Sequence, residues 1–156
     1  MKYNFRLSAR KADIYEIEPF FYDAAVVFCP SGYTGLSAGL HFKSEKIAES
    51  KIGYIIYVDK PHPWLPYYKG WENMFSSQEE IANYIHKMVF KTLDVAYNDI
   101  GHRIAFCGIW IRYMDKPTNE TLTAKAVSEW LDLHPDAYVT LIDKTDCFNR
   151  HKILSQ

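Results

Sequence analysis

The chain has 156 residues, which is long enough for one domain to bury a core without metals or disulfides. We therefore interpret residues 1–156 as a single domain. Its 18 basic and 19 acidic side chains give a formal net charge of −1, and the basic residues form no long run. This balance argues against nucleic acid and against an anionic membrane surface as partners.

Cysteine usage and hydropathy predict a cytoplasmic protein. The three cysteines are odd in number and widely spaced, which fits reduced thiols better than a disulfide framework. The first residues lack the apolar run of a signal peptide, and no apolar stretch approaches the ~18 residues of a membrane span. The six histidines have no spacing typical of metal ligands, so we expect no metal site, and we expect no cofactor either.

The first half of the chain alternates short apolar runs with longer segments of helical period. This alternation is typical of the α/β class, in which helices cover a parallel sheet. Two short strands are predicted around Ser8 to Lys11, and a central strand, apolar on both faces, at Ala24 to Cys29. Apolar residues at helical spacing predict a first helix over about Leu36 to Glu49, and "GYIIYV" at 53–58 predicts the next strand.

The second half opens with the longest predicted helix. Ser76 or Ser77 caps it, Glu79 and Glu80 complete either capping box, and Gly101 ends it.

The remaining elements continue the alternation of strand and helix. "RIAFCGIWI" at 103–111 predicts a strand buried on both faces, and a helix follows behind a cap at Thr118. "AYVTLI" at 137–142 predicts the last strand, and a closing helix runs from a cap at Thr145 to Leu154.

Several phrases of the sequence carry a family resemblance when they are taken together. The strongest is "IAFCGIWIRYMDKP" at 104–117, followed by "AKAVSEWLDLHP" at 124–135. Weaker phrases precede it in order: "KADIYEI" at 11–17, "YDAAVVFCP" at 22–30, "GLSAGLH" at 35–41 and "GYIIYVDKP" at 53–61. From about Ala12 onward the chain resembles the macro domain, a family of modules that bind ADP-ribose and, in some members, hydrolyse its esters and conjugates.

The resemblance implies a three-layer α/β/α sandwich with a mostly parallel central sheet. It also implies a site for an ADP-ribose-type or other nucleotide-derived ligand. Asp13 takes the place of the family's adenine-contacting aspartate, and Ile14 follows it. The other candidate ligand-binding residues belong to two segments: Gly32, Gly35 and Leu36 follow the strand predicted at 24–29, and Trp110, Ile111, Arg112 and Tyr113 lie at and just after the end of the strand predicted at 103–111.

The chain departs from the family pattern where hydrolysis would take place. Val27 and Pro30 stand where the family has two asparagines, so the polar side chain that holds the distal ribose in hydrolytic members is missing. We therefore expect no catalytic residue and favour a binding module without hydrolase activity. The alternative is a protein-interaction module that has lost nucleotide binding, because Trp110 and Ile111 replace small residues of the phosphate loop. An ADP-ribosyl hydrolase ranks lowest.

Each candidate residue also has a purely structural interpretation. Asp13 either accepts a hydrogen bond from a ligand or is an exposed residue beside a strand. The glycines form either an anion nest or an ordinary turn between a strand and a helix. Arg112 either binds a phosphate or pairs with Asp115. The sequence leaves these alternatives open.

The segment from Pro61 to Phe75 combines three prolines with a cluster of aromatic residues. Rings on a stiff segment suit a contact surface, either between copies of this chain or with another protein. The residues expected to make that contact are Trp64, Tyr67, Tyr68 and Trp71. The alternative is a long crossover that packs onto its own domain.

Overall fold

The computed structural model describes residues 3–14, 16–18, 20–29, 42–45, 55–59, 77–107 and 116–144. Within these residues the chain forms six strands and two helices. In chain order they are β1 (Leu7–Lys11), β2 (Ala24–Cys29), β3 (Phe42–Glu45), β4 (Ile55–Asp59), α1 (Gln78–Asp99), β5 (Arg103–Cys107), α2 (Lys116–Asp132) and β6 (Tyr138–Asp143).

The six strands form one sheet in the order β1-β6-β5-β2-β4-β3. Every neighbouring pair is parallel except β3 and β4, which pair antiparallel at one edge. Five strands therefore point the same way, and their carboxyl ends lie together on one side of the molecule. We call this side the carboxyl end of the sheet and the opposite side the amino end.

Helix α1 forms because its sequence carries both a cap and a continuous apolar stripe. The Ser77 hydroxyl accepts a hydrogen bond from the Glu80 N–H at 3.1 Å, as predicted for one of the two candidate caps. Glu79 and Glu80 place negative charge in the first turn, where the helix dipole favours it. The buried stripe consists of Ile81, Ile85, Met88, Val89, Thr92, Leu93 and Ala96, whose spacing puts them on one face.

Gly101 follows the end of α1, where the chain approaches the start of β2 closely. Its N–H donates to the Ala96 carbonyl at 3.0 Å. A Cβ at this position would lie 2.5 Å from the Cβ of Asp23, which is closer than two carbon atoms can approach. The Asp23 carboxylate lies there because it accepts hydrogen bonds from the N–H groups of His102 and Arg103 at 3.2 and 3.0 Å. The glycine predicted to end the helix is thus required by this approach.

The main core lies between the two helices and one face of the sheet. The strands supply alternate residues to it, as a period of two requires: Leu7, Ala9, Ala24, Val26, Ile104, Phe106, Val139 and Leu141. The residues between them, including Ala25, Val27, Ala105 and Ile142, point to the opposite face, where Ile14 and Ile17 cover them in a smaller cluster. Both faces of the central strands are therefore buried, as predicted for β2 and β5.

The predicted helix over 36–49 is wrong at its centre. Residues Phe42–Glu45 form β3, which pairs with β4 in antiparallel register. The apolar spacing fits a helix, but the exposed backbone groups of β4 offer this segment hydrogen bonds that outweigh a local preference.

Smaller differences concern where elements begin and end. Among the described residues of this segment, one strand, β1, forms where two were predicted, and α2 begins at Lys116 instead of after a Thr118 cap. The strand predicted over 103–111 is described only as far as Cys107. The predicted closing helix lies outside the described residues.

The α/β class with a mostly parallel sheet is confirmed. Among the described residues, no helix combines the length and the apolar character that crossing a membrane requires.

Candidate functional site

A cavity of about 270 Å³ lies at the carboxyl end of the sheet. The ends of four adjacent strands, β1, β6, β5 and β2, contribute its lining. The lining residues are Ala12, Asp13, Ile14, Val27, Cys107, Ile142, Asp143 and Lys144. Ligands of open parallel sheets bind at this end, because the chain leaves each strand there and polar groups converge. We call this site the carboxyl-end cavity.

The inner wall of the carboxyl-end cavity is apolar. Ile14, Val27 and Ile142 are buried members of the smaller core cluster, and the thiol of Cys107 lies half-buried beside them. Such a wall can pack against the flat face of an aromatic ring but cannot hydrogen-bond to it.

The rim of the carboxyl-end cavity is charged. Lys144 Nζ lies 3.4 Å from Asp13 Oδ2, and the two side chains are 75% and 35% exposed. An ion pair this exposed contributes only about 0–1 kcal/mol, because water screens it and two side chains must be ordered. A ligand can therefore displace Lys144 from Asp13 at small cost. The rim then offers a carboxylate that accepts hydrogen bonds and an ammonium group that donates them.

Backbone hydrogen bonds fix the position of Asp13. The Ala12 N–H donates to the Asp143 carbonyl at 2.8 Å, which extends the pairing of β1 with β6 by one step. The Glu16 N–H then donates to the Asp13 carbonyl at 2.9 Å and turns the chain. Asp13 is thus the first residue after the strand pairing ends, and it lies at the mouth of the cavity.

The segment that follows Asp13 is braced by an ion pair between Arg10 and Glu18. The guanidinium of Arg10 holds both carboxylate oxygens of Glu18, and one of the two contacts, Nη2 to Oε1, measures 2.7 Å. These hydrogen bonds raise the pKa of the Arg10 guanidinium above its ordinary value. Ile17, between the turn and Glu18, is fully buried against the sheet. The rim therefore rests on an ordered segment.

The structure brings two of the predicted ligand-binding residues, Asp13 and Ile14, to the same cavity. Val27, at the position of a family asparagine, lines it as well. The other candidates lie outside the described residues: Gly32, Gly35, Leu36, Trp110, Ile111, Arg112 and Tyr113. The aromatic residues Trp64, Tyr67, Tyr68 and Trp71 also lie outside them.

Five of the lining residues were not predicted from the sequence: Ala12, Cys107, Ile142, Asp143 and Lys144. The sequence contains a pattern that could have predicted two of them. Asp143 and Lys144 directly follow the predicted strand at 137–142, and polar residues at that point of a parallel strand face the ligand-binding end. In the described part of the chain, no group of three or more His, Cys, Asp or Glu side chains is placed to hold a metal ion.

No protein-family model matches the sequence, and no curated protein matches it. The fold does have a likeness among solved structures. A macrodomain from Oceanobacillus iheyensis, solved with MES bound, superposes with a TM-score of 0.58 over 99% of this chain and 96% of that chain, at 12% sequence identity. At this identity the likeness concerns the fold alone. The chain therefore has a macrodomain-like α/β/α fold.

Proposed function

We propose that this chain is a macro-domain-like binding module that holds an ADP-ribose-type or other nucleotide-derived ligand in the carboxyl-end cavity without hydrolysing it. The observation that carries the proposal is the position of Asp13 at the mouth of an apolar cavity, at the ligand-binding end of a macrodomain-like fold.

The chemistry of the cavity suits an adenine base. The faces of the base are apolar and pack against Ile14, Val27 and Ile142. Its exocyclic amino group is a donor, and the Asp13 carboxylate is an acceptor held at the edge of that wall. A charge-assisted hydrogen bond of this kind contributes about 1.5–3 kcal/mol.

The rim also suits the anionic part of a nucleotide. Once a ligand occupies the Asp13 carboxylate, the exposed ammonium group of Lys144 is free to turn toward a phosphate on its flexible stem.

Binding without hydrolysis is supported by Val27. This side chain lines the cavity where the resemblance places an asparagine, and it can neither donate nor accept a hydrogen bond. Hydrolysis requires a polar group within hydrogen-bond reach to orient the ribose or the attacking water. We expect release of ADP-ribose from a modified protein at no more than the blank rate. A rate clearly above blank contradicts this part of the proposal.

Calorimetric titration tests the binding itself. ADP-ribose should bind. The analogue in which hypoxanthine replaces adenine should bind at least about tenfold more weakly, because it places a carbonyl oxygen, a second acceptor, opposite the Asp13 carboxylate. Asp13→Ala should weaken ADP-ribose binding and remove most of this discrimination. Asp99→Ala is the matched control, because it removes an exposed carboxylate at the other end of the sheet. Absence of heat with ADP-ribose, ADP and NAD contradicts the proposal.

The alternative function is a protein-interaction module that has lost nucleotide binding. It is favoured by a separate observation, the exposure of five large apolar side chains that do not line the cavity: Phe5, Phe20, Phe21, Leu133 and Tyr138. The same titrations separate the two functions, because an interaction module gives no heat with any of these nucleotides.

A further inference from the structure

An ion pair joins the two ends of the segment that carries Asp13. Arg10, in β1, donates from both Nη atoms to the carboxylate of Glu18, and the contact from Nη2 to Oε1 measures 2.7 Å. Between these partners lie Asp13 and Ile14, which line the carboxyl-end cavity. We call residues 12–14, 16 and 17 the cavity segment. The Arg10–Glu18 ion pair therefore closes the part of the chain that forms one side of the cavity.

The Arg10–Glu18 ion pair has a geometry that can hold a backbone in place. A guanidinium that donates two hydrogen bonds to one carboxylate fixes the orientation of its partner as well as the distance. The Arg10 guanidinium is also hydrogen-bonded to the side chain of Tyr22, which packs against the smaller core cluster. Because Glu18 and Tyr22 both follow the cavity segment in the chain, these bonds fix the end of the segment relative to β1.

The other contacts of the cavity segment act at its start and in its middle. The Ala12 N–H is bonded to the Asp143 carbonyl of β6, and the Glu16 N–H is bonded to the Asp13 carbonyl at 2.9 Å. The Asp13 side chain is 35% exposed. A carboxylate this exposed takes its position from the backbone that carries it, so the restraint at the end of the segment also determines where the Asp13 carboxylate lies.

The Arg10–Glu18 ion pair lies on the face of the sheet that bears the cavity, but it does not line the cavity. Arg10 is opposite Ile142, a lining residue, in the pairing of β1 with β6. Its neighbour Ala9 belongs to the main core, so Arg10 projects to the other face. Among the described residues that line the cavity, neither Arg10 nor Glu18 is present. An effect of this ion pair on a ligand must therefore pass through Asp13.

We propose that Arg10 and Glu18 are positioning residues, which keep the cavity segment in the conformation that presents Asp13 to a ligand. This inference rests on the proposed function, because it concerns the affinity of the same cavity. When the ion pair is broken, only a fraction of the molecules hold Asp13 in place, and the apparent dissociation constant rises in inverse proportion to that fraction. If about one molecule in five keeps the binding conformation, ADP-ribose binds about fivefold more weakly.

Charge reversal distinguishes positioning from direct contact with the ligand. Glu18→Arg breaks the ion pair and adds positive charge, so attraction to the anionic ligand alone would strengthen ADP-ribose binding. Positioning predicts the opposite: calorimetry should show about fivefold weaker binding for Glu18→Arg and for Arg10→Glu. Arg10→Glu/Glu18→Arg restores the pair in reverse and should recover most of the affinity. Asp23→Asn is the matched control, because it breaks a guanidinium–carboxylate pair at the amino end and should leave the affinity unchanged.

Amide hydrogen exchange in the ligand-free protein gives a second measurement, which does not depend on binding. The Glu16 N–H, bonded to the Asp13 carbonyl, should exchange faster in Glu18→Arg and return toward the wild-type rate in Arg10→Glu/Glu18→Arg. Glu18→Gln removes the charge but keeps the size of the side chain, and it should show the same changes to a smaller extent. Circular dichroism verifies the fold of each variant.

The outcomes separate this inference from the proposed function. Wild-type binding of ADP-ribose together with unchanged affinity in both reversals overturns the inference alone. Weaker binding that the double reversal does not recover, or that occurs without faster exchange of the Glu16 amide, also overturns it, because the side chains would then act by contacting the ligand. Absence of ADP-ribose binding to the wild-type chain overturns the proposed function, and this inference with it.

Discussion

The two ends of the sheet are built in different ways. At the carboxyl end, an exposed ion pair joins Asp13 and Lys144 at 3.4 Å on the rim of the cavity. At the amino end, the buried guanidinium of Arg6 donates to three carbonyls, those of Leu131, His134 and Ala137, at 2.6–2.7 Å. The contact at the amino end therefore joins the last turn of α2 to the segment before β1, while the contact at the carboxyl end joins two exposed side chains at the cavity.

Aromatic and acidic side chains extend the network at the amino end. The Tyr97 hydroxyl donates to Asp136 Oδ1 at 2.8 Å, and its ring stacks on His102 with centroids 4.2 Å apart. The hydrogen bond to the Asp136 carboxylate raises the pKa of Tyr97 and lowers the pKa of Asp136. In the neighbouring pair, Trp130 Nε1 donates to Asp94 Oδ1 at 2.9 Å. These buried and aromatic contacts predict that changes at the amino end cost more stability than changes at the rim of the cavity.

Arg6→Ala should have the largest effect on stability. It leaves three carbonyl groups at the end of α2 without their charged donor, at a place with little access to water. We expect a loss of about 3 kcal/mol or more in the free energy of unfolding, measured by urea denaturation. Arg6→Lys keeps the positive charge but not the planar guanidinium that donates to all three carbonyls. Its loss in the free energy of unfolding should therefore be smaller. A loss below about 1 kcal/mol for Arg6→Ala contradicts the role given to the amino end.

Gly101→Ala should be the next most destabilising change. The new methyl group would overlap the Cβ of Asp23, so either the start of β2 or the end of α1 must shift. We expect a loss of about 1–3 kcal/mol in the free energy of unfolding. The matched test is a double-mutant cycle with Asp23→Gly. Because Asp23→Gly removes the overlapping Cβ, Gly101→Ala should then lower the free energy of unfolding by less. Additive effects would show that the close approach is unimportant.

The pH dependence of stability should report on Asp23. Its hydrogen bonds with the Arg103 guanidinium lower the pKa of the carboxyl below the ordinary value of about 3.9. Asp23 therefore contributes its full stabilisation above that ordinary value and loses it as the pH falls through the lower native pKa. Urea denaturation between about pH 2 and pH 5 should show a smaller loss for Asp23→Asn than for wild type. Arg103→Gln should reproduce this smaller loss, and an unchanged profile in both variants contradicts the assignment.

Lys144→Gln should have the smallest effect on stability and a separate effect on binding. The exposed ion pair with Asp13 contributes little, so we expect a change below about 0.5 kcal/mol in the free energy of unfolding. Calorimetry should show weaker ADP-ribose binding, because a donor to the phosphates is lost. A large loss of stability would mean that the ion pair between Lys144 and Asp13 stabilises the fold. Unchanged affinity for ADP-ribose would mean that Lys144 does not contact the ligand.

The sequence predicted those parts of the fold that depend on local periodicity. The apolar stripe and the serine cap of α1 repeat at helical spacing, and β2 is apolar on both faces, so both elements could be recognised without tertiary information. The antiparallel strand β3 could not, because its pairing with β4 depends on a neighbour that local spacing does not reveal. The resemblance predicted Asp13 and Ile14 as ligand-binding residues; the structure places both at one cavity, and their role in binding stays a prediction.

The amino end had no sequence signal. Arg6 and the carbonyls that it binds are more than a hundred positions apart, and no periodic pattern connects them. The exposed side chains of Phe5, Phe20 and Leu133 likewise come from three separate segments, and only the strand order reveals that these segments lead into strands at the same end of the sheet. Contacts of this kind follow from topology and could not be predicted before it was known.

The most direct test of the account is to locate the ligand by NMR. On titration with ADP-ribose, the backbone amide signals of residues 12–14, of Val27 and of residues 142–144 should shift together. The signals of His102, Leu133 and Tyr138, at the amino end, should remain unchanged. Shifts confined to the amino end, or no shifts at saturating ligand, would contradict the claim that the carboxyl-end cavity is the binding site.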